Sequence, residues 1–124
     1  MACDLSIIIV NWNTVALLEG CLNAAFAAAG NLSVQVIVVD NGSTDSSVSL
    51  LATRFATVSV IHNATNLGFA CANNQALPLA EGRHILLLNS DTVVSKTALA
   101  HMVAYLDASP AVGIVGPALA KPDG

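Results

Sequence analysis

The sequence predicts an α/β fold with an open, mostly parallel sheet and helices on both faces. Two observations predict it. Runs of β-branched and aliphatic residues alternate along the 124 residues with stretches whose apolar residues recur at helical spacing. The strand-like runs are almost continuously apolar, as in parallel sheets covered on both faces. Strict strand–helix alternation implies right-handed crossovers. No repeat or linker divides the chain, so we predict a single domain over residues 1–124.

Five apolar runs are the candidate strands. The runs at 5–10 and 34–39 are rich in Ile and Val, and a shorter run follows at 58–61. The four consecutive aliphatic residues at 85–88 predict a strand buried on both faces, and therefore one at the centre of the sheet. The segment at 112–116 predicts a fifth strand or an extended segment.

Helices are predicted between these strands from capping residues and apolar spacing. The third helix, near 70–77, is unusual because it carries small residues and the adjacent pair Asn73 and Asn74. That composition suits close approach either of a ligand or of the helix to the sheet. The candidate N-terminal caps are Asn13 or Thr14 for the first helix, Ser43 or Thr44 for the second and Ser95 for the fourth.

The composition is strongly apolar. Hydrophobic residues make up 55% of the chain and charged residues 10%, with a mean hydropathy of +0.71. No apolar run approaches the ~18 residues of a membrane span, and the start lacks the basic residues of a signal peptide. We therefore predict no transmembrane segment in this chain. We expect another part of a longer protein, or a second copy in a homodimer, to cover some apolar surface.

Charge and cysteine usage exclude several classes of function. A net charge of −4 argues against nucleic-acid binding, which draws on clustered basic residues. Because the chain has few basic side chains, helix N-termini or a bound metal would have to supply the positive charge for a phosphate-bearing ligand. Three cysteines without CxxC spacing suggest a reduced, cytoplasmic chain, and the three histidines lack the spacing of a zinc site.

Acidic residues follow two of the strands. Asp40 and Asp91 each come directly after, or shortly after, an apolar run, and ligands of parallel sheets bind beyond the carboxyl ends of strands. Structural explanations stand beside this one: an Asx-turn or helix cap for Asp91, and a hairpin for Asn41-Gly42. Carboxylate, amide and hydroxyl oxygens suit Mg²⁺ or Mn²⁺. GxGxxG and GxxxxGK[ST] loops are missing, which disfavours dinucleotide-binding and P-loop enzymes.

Five motifs in order, SIIIVNWNT, VIVVDNGSTD, NLGFACANN, ILLLNSDT and VGIVGP with a following PDG, span 5–124. They resemble the amino-terminal, nucleotide-sugar-binding half of family 2 glycosyltransferases, especially the rhamnosyltransferase-like branch. The resemblance implies a GT-A fold with a Rossmann-like nucleotide-binding half. It also implies inverting transfer of a sugar, rhamnose being our first expectation, from a nucleotide-sugar donor to a glycan or lipid-linked acceptor. Such a protein would serve polysaccharide or cell-envelope synthesis in the cytoplasm, at the inner face of the membrane.

The resemblance implies roles for the matched positions. Asp91 would bind the metal that bridges the donor pyrophosphate. Asn89, which begins the NSD triplet in place of DxD, would contact the ribose or orient water. Asp40 would contact the base or ribose, and Asn41 stands where many relatives have a second Asp. The other nucleotide-sugar-binding positions are Val10, Asn11, Asn13, Asn66, Gly68, Asn73 and Ser90.

The resemblance places the general base in the carboxyl-terminal half of the family. Glu81 and Asp107 are expected on helices and the Asp123 carboxylate in a terminal turn, so we expect the base beyond Gly124 and a truncated, inactive chain. The alternative is a nucleotide-binding or regulatory module without transferase activity. A phosphoacceptor receiver is disfavoured because the first strand ends in Asn-Trp-Asn rather than in acids.

Overall fold

The computed structural model describes residues 2–118 and has the α/β architecture with a four-stranded parallel sheet. The strands pair in the order β3-β2-β1-β4. Their bounds are β1 Leu5–Asn11, β2 Val34–Asp40, β3 Ser59–His62 and β4 His84–Asn89. The helices are α1 Val15–Ala28, α2 Ser47–Arg54, α3 Phe69–Ala76 and α4 Ala98–Ala108, with a 3₁₀ turn at Leu77–Leu79.

Helices cover both faces of the sheet, and β1 is buried between them. Ile7 and Ile9 point to the face with α1, α2 and α4, whereas Ile8 points to α3. All three are fully buried because β1 has strands on either side as well as helices above and below. The α3 face is packed through Ala72 and Ala76, whose small side chains bring the helix close to β1 and β2.

The prediction that 85–88 forms a central strand buried on both faces is wrong. β4 lies at the edge of the sheet beside β1. Ile85 and Leu87 are 47% and 51% exposed, whereas Leu88 on the opposite face is 6% exposed. The physical reason is the position of α3, which packs against β1 and β2 and leaves that face of β4 uncovered within residues 2–118. An all-aliphatic run therefore does not by itself show that both faces of a strand are covered.

Other boundaries also differ from the sequence prediction. Of the two alternatives predicted for 112–116, the strand is not formed, because the segment pairs with no strand within the described residues. α2 follows Ser46 and α4 follows Thr97, a few residues later than the predicted caps. Glu81 lies in the loop before β4, not on a helix. The PDG motif at 122–124 lies outside the described residues. Between residues 2 and 118, no helix is both long enough and apolar enough to cross a bilayer.

A charged cluster joins β1, β4 and α4 at the amino edge of the sheet. Arg83 bridges Asp4, at 3.1 Å, and Asp107, which also lies 2.8 Å from His84 Nε2. Hydrogen bonds from the Ser33 backbone and from Arg83 hold the pKa of Asp4 below its usual value. Hydrogen bonds from His84 and Arg83 do the same for the pKa of Asp107. This cluster lies at the end of the sheet away from the predicted site.

Candidate functional site

Polar strand ends lie side by side at the carboxyl edge of the sheet. Asn11 of β1 pairs with Asp40, the last residue of β2. Across β1, the half-buried Val10 pairs with Asn89, the last residue of β4. Because β2 and β4 both flank β1, their ends lie two strand spacings apart, ~10 Å. Asp91 follows Asn89 in a turn, so both acids predicted for the site lie at this edge.

Asp40 is a buried carboxylate held by its neighbours. It is 2% exposed. Its Oδ1 accepts hydrogen bonds from Asn11 Nδ2 at 3.1 Å and from Ser43 Oγ at 2.7 Å, and its Oδ2 accepts from the Ser43 backbone at 3.0 Å. The turn that follows requires Gly42, whose φ is +84° and where a Cβ would lie 2.9 Å from Thr65 Cα. The Asp40 carboxylate is therefore fixed before any ligand arrives.

Asn13 joins the loop after β1 to the loop after β2. Its φ of +52° lies in the left-handed region, which Asn tolerates better than most residues. The Asn13 Oδ1 accepts from the Thr44 and Asp45 backbones at 2.8 and 3.3 Å. The Asn13 backbone in turn donates to Ser43 Oγ at 2.9 Å. The two loops consequently form one unit next to Asp40.

Asp45 adds a second negative group to this unit, and the sequence interpretation missed its role. Its carboxylate accepts hydrogen bonds from the Val15 backbone at 3.0 Å and the Ser47 backbone at 2.9 Å, at the first residues of α1 and α2. Burial raises the pKa of Asp45, but hydrogen bonds from Ser47 and Val15 outweigh it and hold the pKa below its usual value. The feature of the sequence that could have indicated this role is an aspartate shortly before a helix.

Asn41 fastens the loop before α3 to the end of β2. It is 2% exposed. Its Nδ2 donates to the Gly68 carbonyl at 3.2 Å, and its Oδ1 accepts from Asn63 Nδ2 at 3.0 Å and from the Leu67 backbone at 3.2 Å. Asn63 and Gln75 exchange two further side-chain hydrogen bonds, at 2.7 and 2.9 Å. The Asn41 amide thus uses both of its ends within the protein.

The other predicted positions around α3 occupy different environments. Asn66 is exposed and its Oδ1 accepts from the Gly68 backbone at 2.8 Å. Gly68 has a φ of +88° and directly precedes α3. Asn73 is 5% exposed and donates to the Phe69 carbonyl at 3.1 Å. Its buried Oδ1 has no hydrogen-bond partner among residues 2–118. Asn41 brings Gly68 to the end of β2, whereas Asn73 lies further along the helix.

The turn after β4 carries an exposed carboxylate. The Thr92 backbone donates to the Asn89 carbonyl at 3.1 Å, and Ser90 is 9% exposed. Asp91 is exposed and makes no side-chain hydrogen bond or ion pair with any residue between 2 and 118. Burial and then the negative charge of Asp91 raise the pKa of Cys21 to about 11. Asp91 is therefore free to bind a ligand.

A metal could bind here only if a ligand completes its coordination. Within residues 2–118, no group of three or more His, Cys, Asp or Glu side chains is placed to hold an ion. The unpartnered Asp91 carboxylate supplies one hard oxygen. Mg²⁺ and similar ions are commonly held by one or two carboxylates together with substrate phosphates and water. The residues therefore fit a divalent ion shared with a diphosphate and do not fit an all-protein cage.

Comparison with known proteins identifies the family. Residues 6–124 match the sequence profile of Glycosyl transferase family 2. The chain belongs to this family. Its curated relatives include the succinoglycan biosynthesis protein ExoO of Rhizobium meliloti, 30% identical over 87% of this chain. A poly(ribitol-phosphate) beta-glucosyltransferase of Bacillus spizizenii is 32% identical over 77% of this chain. These relatives do not single out the rhamnosyltransferase-like branch.

Solved structures of other proteins share the fold. TarS 1–349 of S. aureus, in complex with UDP-GlcNAc, has a TM-score of 0.77 and 27% identity over 86% of this chain. The mannosyltransferase PcManGT of Pyrobaculum calidifontis, solved with GDP-Man and Mn²⁺, has a TM-score of 0.75 and, at 23% identity, is alike in fold. This glycosyltransferase family 2 chain spans 31% of the length of ExoO, 16% of the Bacillus enzyme and 32% of the TarS chain.

Proposed function

We propose that this family 2 chain forms the donor-binding part of an inverting glycosyltransferase. The observation that carries the proposal is that two acids in different environments lie at the same edge of the sheet. Asp40 is buried and rigidly held, whereas Asp91 is exposed and unpartnered within residues 2–118, two strands away. A separation of ~10 Å between strand ends suits a nucleoside at one end and its diphosphate at the other. TarS, a relative in fold and sequence, has been solved with UDP and UDP-GlcNAc.

The residues around Asp40 would bind the nucleoside. Asp40 presents a fixed carboxylate that can accept from base N–H or ribose hydroxyl groups. Asn11 and Asn13 hold that carboxylate and the neighbouring loop in place. The remaining residues proposed to line the nucleotide-sugar pocket are Val10, Asn41, Asn66, Gly68, Asn73, Asn89 and Ser90.

Asp91 would hold a Mg²⁺ or Mn²⁺ ion together with the donor diphosphate. When bound, such an ion stabilises the negative charge that develops on the departing diphosphate. The chain needs this help because its net charge is −4 and it has four Lys and Arg residues in all. The role of Asp91 is to fix the diphosphate so that the anomeric carbon faces the acceptor hydroxyl.

The general base is proposed to come from the remainder of a longer protein beyond Gly124. Attack on the anomeric carbon with inversion requires a group that takes the acceptor hydroxyl proton. Asp4, Asp107 and Glu81 lie at the amino end of the sheet. Glu19 pairs with Arg54 at 2.7 Å, and the Asp45 carboxylate is taken up by the Val15 and Ser47 backbones. We therefore expect the isolated chain to bind donor without transferring sugar.

The substrate and setting are proposed from the relatives and from the cysteines. Succinoglycan biosynthesis and poly(ribitol-phosphate) glucosylation, the roles named for two relatives, favour a glycan or lipid-linked acceptor in polysaccharide or cell-envelope synthesis. Rhamnose from a thymidine diphosphate donor remains our first expectation. Cys3, Cys21 and Cys71 are free thiols, which supports a reducing, cytoplasmic location, at the inner face of the membrane for a longer protein. The exposed Ile85 and Leu87 support a homodimer or coverage by another segment.

A donor-binding module without transferase activity is the second candidate. Asn41 and Asn89 stand at positions where acids are expected from the family resemblance, and neither can serve as an anionic ligand. Such a module would bind nucleotide by the same residues, so donor binding alone does not separate the two. Transfer by a longer protein that contains this domain, measured with radiolabelled donor, would.

Calorimetric titration with UDP, GDP and thymidine diphosphate, with and without Mn²⁺, tests the proposed site. We expect one nucleotide to bind more tightly in Mn²⁺ and Asp91→Ala to abolish the Mn²⁺ effect. Glu81→Gln is the matched control because it removes an exposed carboxylate from the loop that contacts Ser6, at the amino end of the sheet. Absence of Mn²⁺-dependent binding for every nucleotide, or equal effects of the two variants, would overturn the proposal.

A further inference from the structure

Thr14 does not use its side chain as its place in the sequence predicts. It directly precedes α1, yet its hydroxyl makes no capping hydrogen bond to that helix. The Thr14 backbone carbonyl accepts from Leu17 and Leu18 instead. Its Oγ1 donates to Asn11 Oδ1 at 2.5 Å and lies 2.9 Å from Ser90 Oγ. The hydroxyl therefore stands between the end of β1 and the turn after β4.

Proton count fixes the direction of these hydrogen bonds. The Asn11 Oδ1 can only accept, so the single Thr14 hydroxyl proton points to it and Ser90 must donate to Thr14. The Asn11 Nδ2 then donates to Asp40 Oδ1 at 3.1 Å. Donors run in one direction, from Ser90 through Thr14 and Asn11 to the Asp40 carboxylate. A chain of this kind that ends on a negative charge is mutually strengthening.

We propose that Thr14 is a positioning residue that sets the Asp91 turn relative to the Asp40 pocket. Ser90 directly precedes Asp91, and its side chain has Thr14 as its partner between the ends of the neighbouring strands β4 and β1. By holding Ser90, Thr14 holds the backbone next to Asp91. The Asp91 carboxylate is then at the right distance to contact the diphosphate of a nucleotide whose nucleoside is bound at Asp40. The inference rests on the proposed function, since only a ligand that contacts both ends requires the two to be held in register.

Thr14→Val and Thr14→Ser form the matched pair of variants. Valine has nearly the shape of threonine but cannot bridge Asn11 and Ser90, whereas serine keeps the hydroxyl. In Mn²⁺ we expect Thr14→Val to weaken nucleoside diphosphate binding roughly tenfold, the usual effect of one lost hydrogen bond with a polar partner left unsatisfied. Without Mn²⁺ its affinity should stay within about twofold of the parent chain, because Asp40 keeps its two hydrogen bonds from Ser43 and the one from Asn11 Nδ2. Thr14→Ser should match the parent in both conditions.

Amide hydrogen exchange provides a readout that needs no ligand. The Thr92 backbone amide donates to the Asn89 carbonyl within the turn that carries Asp91. We expect its exchange to be faster in Thr14→Val than in Thr14→Ser, while the amide of Leu22 in the middle of α1 keeps its protection in both.

The outcomes separate this inference from the proposed function. Mn²⁺-dependent binding that is lost in Asp91→Ala upholds the proposed function whatever Thr14→Val does. Within that result, parent-like Mn²⁺-dependent binding by Thr14→Val overturns the positioning role. An equal loss with and without Mn²⁺, or the same loss in Thr14→Ser, overturns it as well. If no nucleotide binds, the proposed function fails and with it the role of Thr14 toward a ligand. Thr92 exchange then tests only the structural link: unchanged exchange in Thr14→Val overturns it, and faster exchange confined to the turn supports it.

Discussion

Asn41→Asp gives a sharp test of the hydrogen-bond network behind the candidate site. The substitution keeps the shape of the side chain but replaces the Nδ2 donor with an acceptor, which would then face the Gly68 carbonyl at 3.2 Å. Asn63 and Leu67 would still donate to the other oxygen. A lost hydrogen bond with a carbonyl left opposed by an oxygen, at a position that is 2% exposed, destabilises by about 2 kcal/mol.

The loss should depend on pH with a definite sign. When protonated, the introduced carboxyl can donate to Gly68 again, so the folded state favours its protonated form. Its pKa in the folded chain therefore lies above the unfolded value of about 3.9. The variant should be nearly as stable as the parent below that unfolded value. The deficit should begin at the unfolded pKa and be complete once the pH has risen through the folded pKa. For a loss of about 2 kcal/mol, the folded pKa lies about 1.5 units above the unfolded pKa.

Urea unfolding between pH 4 and pH 8 measures this difference. Asn66→Asp is the control because Asn66 is exposed and uses its side-chain oxygen as an acceptor from the Gly68 backbone, which a carboxylate can replace. We expect the control to remain within about 0.5 kcal/mol of the parent across the range. A deficit for Asn41→Asp that is independent of pH, or one that the control shares, would refute the role assigned to the Asn41 amide.

The remaining predictions concern other parts of the fold. Gly42→Ala should lower thermal stability more than Gly30→Ala: both have positive φ, but only at Gly42 would the Cβ meet backbone, 2.9 Å from Thr65 Cα; equal melting temperatures would contradict this. Asp45→Asn should be less stable than the parent at neutral pH, with the gap narrowing only as pH falls through the lowered pKa of Asp45, below 3.8; a pH-independent gap in urea unfolding would count against it. Cys71, which is exposed, should react with a thiol reagent at pH 8 well before the buried Cys21, whose pKa is raised to about 11; mass spectrometry of partly labelled protein would reveal the opposite order. Leu87→Lys should shift sedimentation toward the monomer if β4 mediates pairing of two copies, whereas Leu17→Lys, an equally exposed leucine on α1, should not.

The local pattern of the sequence was sufficient to predict the parallel α/β class and the common edge of the strand ends. Alternating strands and helices force successive strands to point the same way, so the positions of Asp40 and Asp91 after their strands followed. The order of the strands in the sheet could not be predicted from the sequence, because the aliphatic run before Asn89 is compatible with either a central or an edge position. Burial of that run depends on where α3 packs, which is a long-range outcome.

Several site residues could not be assigned because their partners are distant in sequence. Thr14 has the sequence signature of a helix cap, yet its hydroxyl bonds to Ser90, 76 residues away. Asn41 reads as a turn residue, but its amide holds Gly68, 27 residues away. In both, a short polar side chain has local and long-range partners of similar strength, and the tertiary fold decides between them. Only the local partners can be recognised from the sequence.

The unpaired outer edge of β4 has a consequence for anyone who produces this chain. Within the described residues, no strand pairs with that edge, and two aliphatic side chains project beside it. An open edge with apolar flanks is a template on which strands from other molecules can add. Aggregation into inclusion bodies, rather than loss of stability, is therefore the expected difficulty in expression. Substituting Ile85 and Leu87 by lysine is a direct remedy.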